Sequence, residues 1–496
     1  MSLTGEQQTI LDRCVAVYNK KESLPEESTI LVNSVAGSGK TTLLVSIASS
    51  IPHTKGLYIS YNRSVAVEAQ TKFPKTTSCS TTHSLAYQAV VKPFKLRVGN
   101  FTYRDIKETI TYDHKLEILD LIREFCLSYY TSFDSFSESL EVTDFTKKLC
   151  NKYLTEMETG KIECTHDFYL KVFHLALLNN LVTYEPFDFV MLDEIGDVNE
   201  VTLEIFRLLP AKLKIGTGDQ HQNIYSFNHT INAFSVLKNE ATFFNMTQSF
   251  RVKDSIASSI ESFCKSYLHE SMSFRGVPIT DSTISTRAII TRTNAALVAY
   301  MIDLEAEGTP FSLVRKATDI YKLPLLVASF KHNSTINDPM YRHVQDDINY
   351  YYDYEIRNPE HRGKPPSLYS YLMNIHSHDF PLVQALKLVA RHGSPKIVKS
   401  YNHARSFENG PNRKQTLFLA SAHSVKGLEF DEVTIGSDMN ELVGEIVIEL
   451  RQNPEKVLST EETNELNLYY VACSRAKKVL NNAILLDTAY QLELDL

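Results

Sequence analysis

The stretch NSVAGSGKTT, residues 33–42, joins an apolar run, TILVN (29–33), to KTTLLVSIASSI (40–51), where apolar residues recur at helical spacing. A strand that enters a glycine turn and leaves it as a helix aims several backbone N–H groups at one point. Such a helix N-terminus suits phosphate oxygens, and Gly37 and Gly39 let the backbone approach them closely. Lys40 then reaches the β- and γ-phosphates, and the Thr41 hydroxyl ligates Mg²⁺. Ser38 and Thr42 belong to the same nucleotide-binding stretch. The generic pattern G-x-x-x-x-G-K-[ST] has glycine where this chain has Ser34.

Outward from this loop, GLYISY (56–61) reads as a second strand and 63–73 as a helix. This alternation predicts a parallel α/β sheet. Amphipathic helices with charged faces fill about 96–180, and strands return at 187–192 and 213–217. A second alternating region covers about 250–312, with RAIITRT as a strand. The stretch 325–412 is rich in Tyr, His and Asn, and strands resume at 416–420 and 432–436. The pattern predicts two α/β cores, each interrupted by a mostly helical insertion.

The bulk numbers set limits. The chain has 496 residues, 43% of them hydrophobic, and a formal net charge of -8. A protein of that charge is no basic wrapper of nucleic acid, although a local basic groove is compatible with it. Only 17 glycines occur, about half the usual ~7%, so clustered glycines are informative. Tryptophan is absent, which leaves aromatic contacts to Tyr and Phe. Seven scattered cysteines show no metal-ligand spacing, which fits a reducing compartment and argues against structural zinc. The polar start MSLTGEQQ is not read as a leader, and no apolar run spans a membrane.

VMLDEIGDVN (190–199) runs a hydrophobic strand into carboxylates. A phosphate-loop ATPase needs an acid at a neighbouring strand end to hold Mg²⁺, and a second beside it to polarise the attacking water. Asp193 suits the first role and Glu194 the second. Asp197 is expected to serve local structure or helix capping.

With the loop and the acids in place, the sequence resembles the UvrD/Rep family of superfamily 1 DNA helicases, and within it the F-box DNA helicase branch with its phage or bacterial relatives. Motifs in family order run from residue 3 to residue 478. LTGEQ (3–7) resembles the motif whose glutamine, Gln7, recognises adenine. LYISYNRSVAVEAQTKFP (57–74) and STTHSLAY (80–87) resemble two DNA-contacting motifs, implying contacts from Tyr61, Asn62, Thr82 and His83. GTGDQHQNIYSF (216–227) makes Gln222 a γ-phosphate sensor and Tyr225 and Phe227 stacking residues. TQSFRV (247–252) places Phe250 on adenine and Arg251 at the γ-phosphate. SAHSVKGLEFDEV (421–433) implies Glu429 near the ribose and His423 near DNA. ELNLYYVACSRAKK (465–478) implies Arg475 as an arginine finger.

The resemblance implies an α/β fold of two RecA-like parallel-sheet domains. Core 1 is expected at 1–95 and 180–248, with a helical insertion at 96–179. Core 2 is expected at 249–322 and 413–496, with a reduced insertion at 323–412. The implied activity is an ATP- and Mg²⁺-dependent helicase or translocase moving 3′→5′ on single-stranded DNA, with single-stranded DNA and ss/dsDNA junctions as partners. A replication, repair or defence-complex protein partner is compatible, a membrane is not expected, and the setting is cytoplasmic, or nuclear if eukaryotic. An RNA-directed helicase and a nucleotide-dependent regulatory subunit that does not unwind are the alternatives. The chain departs from the family at Ser34, at Gly196 where DExQD is usual, and at Asn228, His229 and Thr230.

Overall fold

A computed structural model describes residues 3–20, 25–52, 55–224, 230–268, 273–332, 335–336, 338–353, 366–408 and 416–484. The chain divides into two compact units, residues 1–250 and 251–496.

The first unit is built on six parallel strands: β1 (Thr29–Ser34), β2 (Gly56–Ser60), β3 (Thr77–Thr81), β4 (Phe187–Asp193), β5 (Ala211–Gly218) and β6 (Thr242–Met246). Their order is β3-β2-β4-β5-β1-β6. Parallel strands are covered on both faces, so the central ones are nearly continuous apolar runs. Side chains alternate between the faces. Ile30, Val32, Tyr58, Phe189, Met191, Leu213 and Ile215 share one cluster with residues of helices Gly5–Asn19 and Lys40–Ser50. Leu31, Leu57, Ile59, Val190 and Leu192 belong to another, together with Phe125, Tyr153 and Phe173. Those three aromatics come from helices Tyr112–Leu127, Asp144–Glu158 and His166–Leu178. The inserted helices therefore share a core with the sheet. Each starts at a threonine, Thr111, Thr143 or Thr165, whose side chain accepts an N–H of the first turn.

The chain passes to the second unit within β7 (Gln248–Lys253), which pairs with β8 (Arg275–Val277). The second sheet consists of β9 (Arg287–Thr291), β10 (Ser312–Leu313), β11 (Leu417–Ser421), β12 (Phe430–Ile435) and β13 (Ala476–Asn481), in the order β10-β11-β9-β12-β13. Its pairings are parallel too. Helices between Ala317 and Glu408 pack with helix Asn294–Glu307 and Leu419 in one cluster that includes Tyr321, Leu372, Leu386 and Ile397. Helix Ala317–Ile320, inside the stretch read as core 2, packs in this same cluster.

Strands β3, β6, β10 and β13 were not expected from the apolar pattern. All four are sheet edges. An edge strand has one open side, and β3 (TSCST) and β13 (AKKVLN) lack the apolar run of a central strand.

Candidate functional site

Strand order sets the site. β5 lies between β1 and β4, with Asn33 beside Gly218 and Asp193 beside Thr217. The carboxyl ends of these three strands thus lie side by side, where ligands of open parallel sheets bind. The phosphate loop leaves β1, the acid turn leaves β4, and the Gln222 turn leaves β5.

Gly37 and Gly39 both have left-handed backbone, φ 75° and 83°, which glycine adopts without the Cβ penalty. Gly39 opens helix Lys40–Ser50, placing Lys40, Thr41 and Thr42 in its first turn. Gln7 is buried, and its Nε2 donates to the Ser38 carbonyl at 3.2 Å. The Phe250 amide donates to Gly37 O at 2.9 Å, while the residue is 53% exposed. An added Cβ on Gly39 would stand 3.0 Å from Gln7 Nε2 and 3.6 Å from the Phe250 ring. The structure thus brings Gln7, Gly37, Ser38, Gly39 and Phe250 together. The Ser38 hydroxyl is buried with no hydrogen-bond partner among the described residues, a group that a phosphate oxygen would satisfy.

Lys40 Nζ lies 3.2 Å from Glu194 Oε1. Burial alone would lower the lysine pKa, but the charges of Glu194, Asp193 and Asp219 outweigh it and hold the ammonium above its ordinary value. Asp193 is fixed by three donors: Tyr58 Oη at 2.6 Å, Thr217 Oγ1 at 2.9 Å and the Glu194 amide at 3.1 Å. Its pKa is shifted up by burial and by Glu194, against the pull of Lys40, Tyr58 and Thr217. Glu194 itself adopts left-handed backbone at φ 54°. A non-glycine residue held there stores roughly 1–3 kcal/mol of strain, a feature concentrated at functional sites. Tyr58, Thr217 and Asp219 were missed from sequence. Asp219 could have been found from its place three residues before Gln222. Tyr58 has no local signal, because its role depends on β2 pairing with β4.

Gln222 is buried, and its Nε2 donates to Asp219 Oδ2 at 2.8 Å. Asp197 lies in the turn after Glu194 and its amide donates to Glu194 O. Of the two roles expected of Asp197, local structure or helix capping, capping falls to Asn199, which accepts the Thr202 N–H at 2.9 Å, while Asp197 lies buried in the turn itself.

Among the expected nucleic-acid contacts, Tyr61 is 59% exposed. Asn62 Oδ1 caps helix Arg63–Lys72 through the Val65 amide. Thr82 is buried. His83 packs edge-on against His166 and Tyr169, and burial lowers its pKa. Tyr225 and Phe227, with Asn228, lie outside the described residues.

In the second unit, Arg251 Nη1 pairs with Glu429 Oε2 at 3.0 Å. Arg475 is buried, bonded to Val471 O and Ser474 Oγ at 2.9 and 2.8 Å, with Leu428 O at 3.5 Å. These three expected residues thus gather at the turn between β11 and β12. His423 lies in the same turn, its pKa lowered to about 4 by burial and by Arg292 and Arg315, so it is neutral near pH 7.

Residues 396–483 match the UvrD-like helicase C-terminal domain. The chain is similar to F-box DNA helicase protein 1 of Schizosaccharomyces pombe, at 25% identity over 97% of this chain and 58% of the relative. It is also similar to F-box DNA helicase 1 of Gallus gallus, at 23% identity over 97% of this chain and 49% of the relative. The chain thus spans about half the length of these relatives.

Proposed function

We propose that this chain, a UvrD-like superfamily 1 helicase by its fold and motifs, is an ATP-dependent DNA helicase or translocase acting on single-stranded DNA in the 3′→5′ direction. The observation that carries the ATPase reading is the Lys40–Glu194 contact of 3.2 Å beside a buttressed Asp193, at the foot of a glycine loop. Polarity and DNA preference rest on the family resemblance.

Bound ATP, as substrate, supplies the phosphoryl group, and Mg²⁺ neutralises charge on it. Thr41 and Asp193 are the residues that would hold the metal. Lys40 and the loop amides from Gly37 to Thr41 bind phosphate oxygens, and a phosphate competes with Glu194 for the Lys40 ammonium. Glu194 then orients water and takes its proton. Gln7 and Phe250 hold the base. Arg251 and Arg475, carried by the second unit, are assigned by the resemblance to the charge on the γ-phosphate. Exposed Tyr61 offers a stacking face for a base, which tolerates any sequence.

A forked-duplex unwinding assay in both polarities tests the proposal, together with ATPase rates on DNA and RNA oligonucleotides of one sequence. Stimulation by DNA and unwinding from a 3′ tail are expected. Stronger stimulation by RNA would favour an RNA-directed helicase. ATP turnover without unwinding would favour a regulatory subunit. Lys40→Ala should lower stimulated turnover about 10²–10³-fold, the usual cost of removing one charge-stabilising donor.

A further inference from the structure

Ser34 and Gly196, two positions at which the chain departs from the family pattern, meet at one strand end. The buried Ser34 hydroxyl donates to Gly218 O at 2.8 Å. The preceding Asn33 Oδ1 accepts the Gln220 N–H at 3.2 Å. Gly196 lies against the same segment from the other side. A Cβ built on Gly196 would stand 3.0 Å from Asp219 O and 3.6 Å from its carbonyl carbon. A Cβ built on Gly218 would stand 3.0 Å from Gly196 N and 3.2 Å from Ile195 N. The acid turn and the end of β5 are thus packed backbone on backbone, and the glutamine usual at position 196 cannot enter unless Asp219 moves.

Asp219 in turn holds the sensor. Its carbonyl accepts the Gln222 N–H at 3.0 Å, and its carboxylate takes the His221 N–H at 3.0 Å and Gln222 Nε2 at 2.8 Å. A displacement of Asp219 O therefore displaces Gln222. On the acid side, Gly196 is two residues past Glu194, in a turn closed by the Asp197 N–H to Glu194 O bond of 3.0 Å.

We propose that Ser34 and Gly196 are positioning residues that lock the Gly218–Gln222 turn to both the phosphate loop and the acid turn, so that Gln222 and Glu194 move as one body. The catalytic half of this inference rests on the ATPase reading above; the lock itself is a statement about local structure.

The test uses the full-length chain and the variants Ser34→Ala, Gly196→Ala and Gln222→Ala, with the doubles Ser34→Ala/Gln222→Ala and Gly196→Ala/Gln222→Ala. Ser34→Ala removes only an oxygen, and thermal unfolding verifies that each variant folds. Amide hydrogen exchange at residues 218–222 should quicken in Ser34→Ala and Gly196→Ala. DNA-stimulated kcat should fall on the order of tenfold, less than the ~10²-fold that a 1 Å misplacement costs. KM for ATP and the affinity for a fluorescent ATP analogue should stay within about twofold, because the phosphate-binding groups are untouched. In the Gln222→Ala background neither substitution should lower kcat further. Unchanged exchange at 218–222, an unchanged kcat, or losses that multiply with Gln222→Ala would each overturn the proposal. A wild-type protein without DNA-stimulated ATPase activity would instead sink the helicase reading, while the exchange data still decide whether the lock exists.

Discussion

Asp193 shows how much of this site is built by residues without chemistry of their own. A carboxylate at a buried strand end costs free energy unless its lone pairs are met. Tyr58, Thr217 and the Glu194 amide meet them. Tyr58→Phe keeps the ring and removes a donor to an acidic oxygen, so it should destabilise the first unit by about 1.5–3 kcal/mol. Urea unfolding measures this, and a raised Mg²⁺ requirement for turnover should accompany it. Glu194→Gln separates binding from chemistry at the same place. It removes the carboxylate that competes for Lys40, so affinity for a fluorescent ATP analogue should hold or tighten. On the proposed function, steady-state kcat should drop about 10²–10³-fold with the loss of the acid assigned to the attacking water. Weaker binding together with unchanged turnover would contradict the roles given to both residues.

At the scale of elements, the first sheet works because its central strands serve two cores at once. β2 illustrates how tightly. A Cβ on Gly56 would fall 2.4 Å from the tip of the Phe189 ring on neighbouring β4. Gly56 is therefore a seat for an aromatic. Gly56→Ala should cost about 1–3 kcal/mol by overpacking, read as a lower thermal midpoint. An unshifted midpoint would mean that the ring moves freely aside. The same view explains which elements were legible. Strands β1 and β4 carry the apolar runs ILV (30–32) and FVML (189–192) because both faces are covered, and each strand lies close to its expected bounds. The edge strands β3, β6, β10 and β13 carry no such signal, since pairing on one side suffices to form them. Capping was harder to place: three carboxylates drew attention to Asp197, but the helix begins at Glu200 and Asn199 caps it.

Across the whole molecule, the chain crosses from one unit to the other once, after Phe250. The phosphate loop, both acids, Gln222 and Phe250 lie before that point; Arg251, Glu429 and Arg475 lie after it. Residues 1–250 should therefore unfold cooperatively in urea and bind an ATP analogue. On the proposed function they should hydrolyse ATP at least ~10³-fold more slowly than the full chain, because the resemblance assigns Arg251 and Arg475 to the γ-phosphate and such an arginine is worth roughly 10³–10⁵ in rate. A fragment that turns over ATP at the full rate would remove the two arginines from the mechanism.

The sequence by itself determined the phosphate loop, the acid pair, the α/β alternation and the two-core plan. The loop and the acid pair are each written in residues within a few positions of one another, and the alternation and the two-core plan in a succession of short apolar runs, so local pattern carries the signal. Only the tertiary structure decided what surrounds them. Tyr58 meets Asp193 across 135 residues and Ser34 meets Gly218 across 184. Such contacts follow from strand order, β2 beside β4 and β1 beside β5, which local periodicity does not encode. The same holds for Gly196: as sequence it is a missing glutamine, and only packing against Asp219 gives a reason for the absence of a side chain.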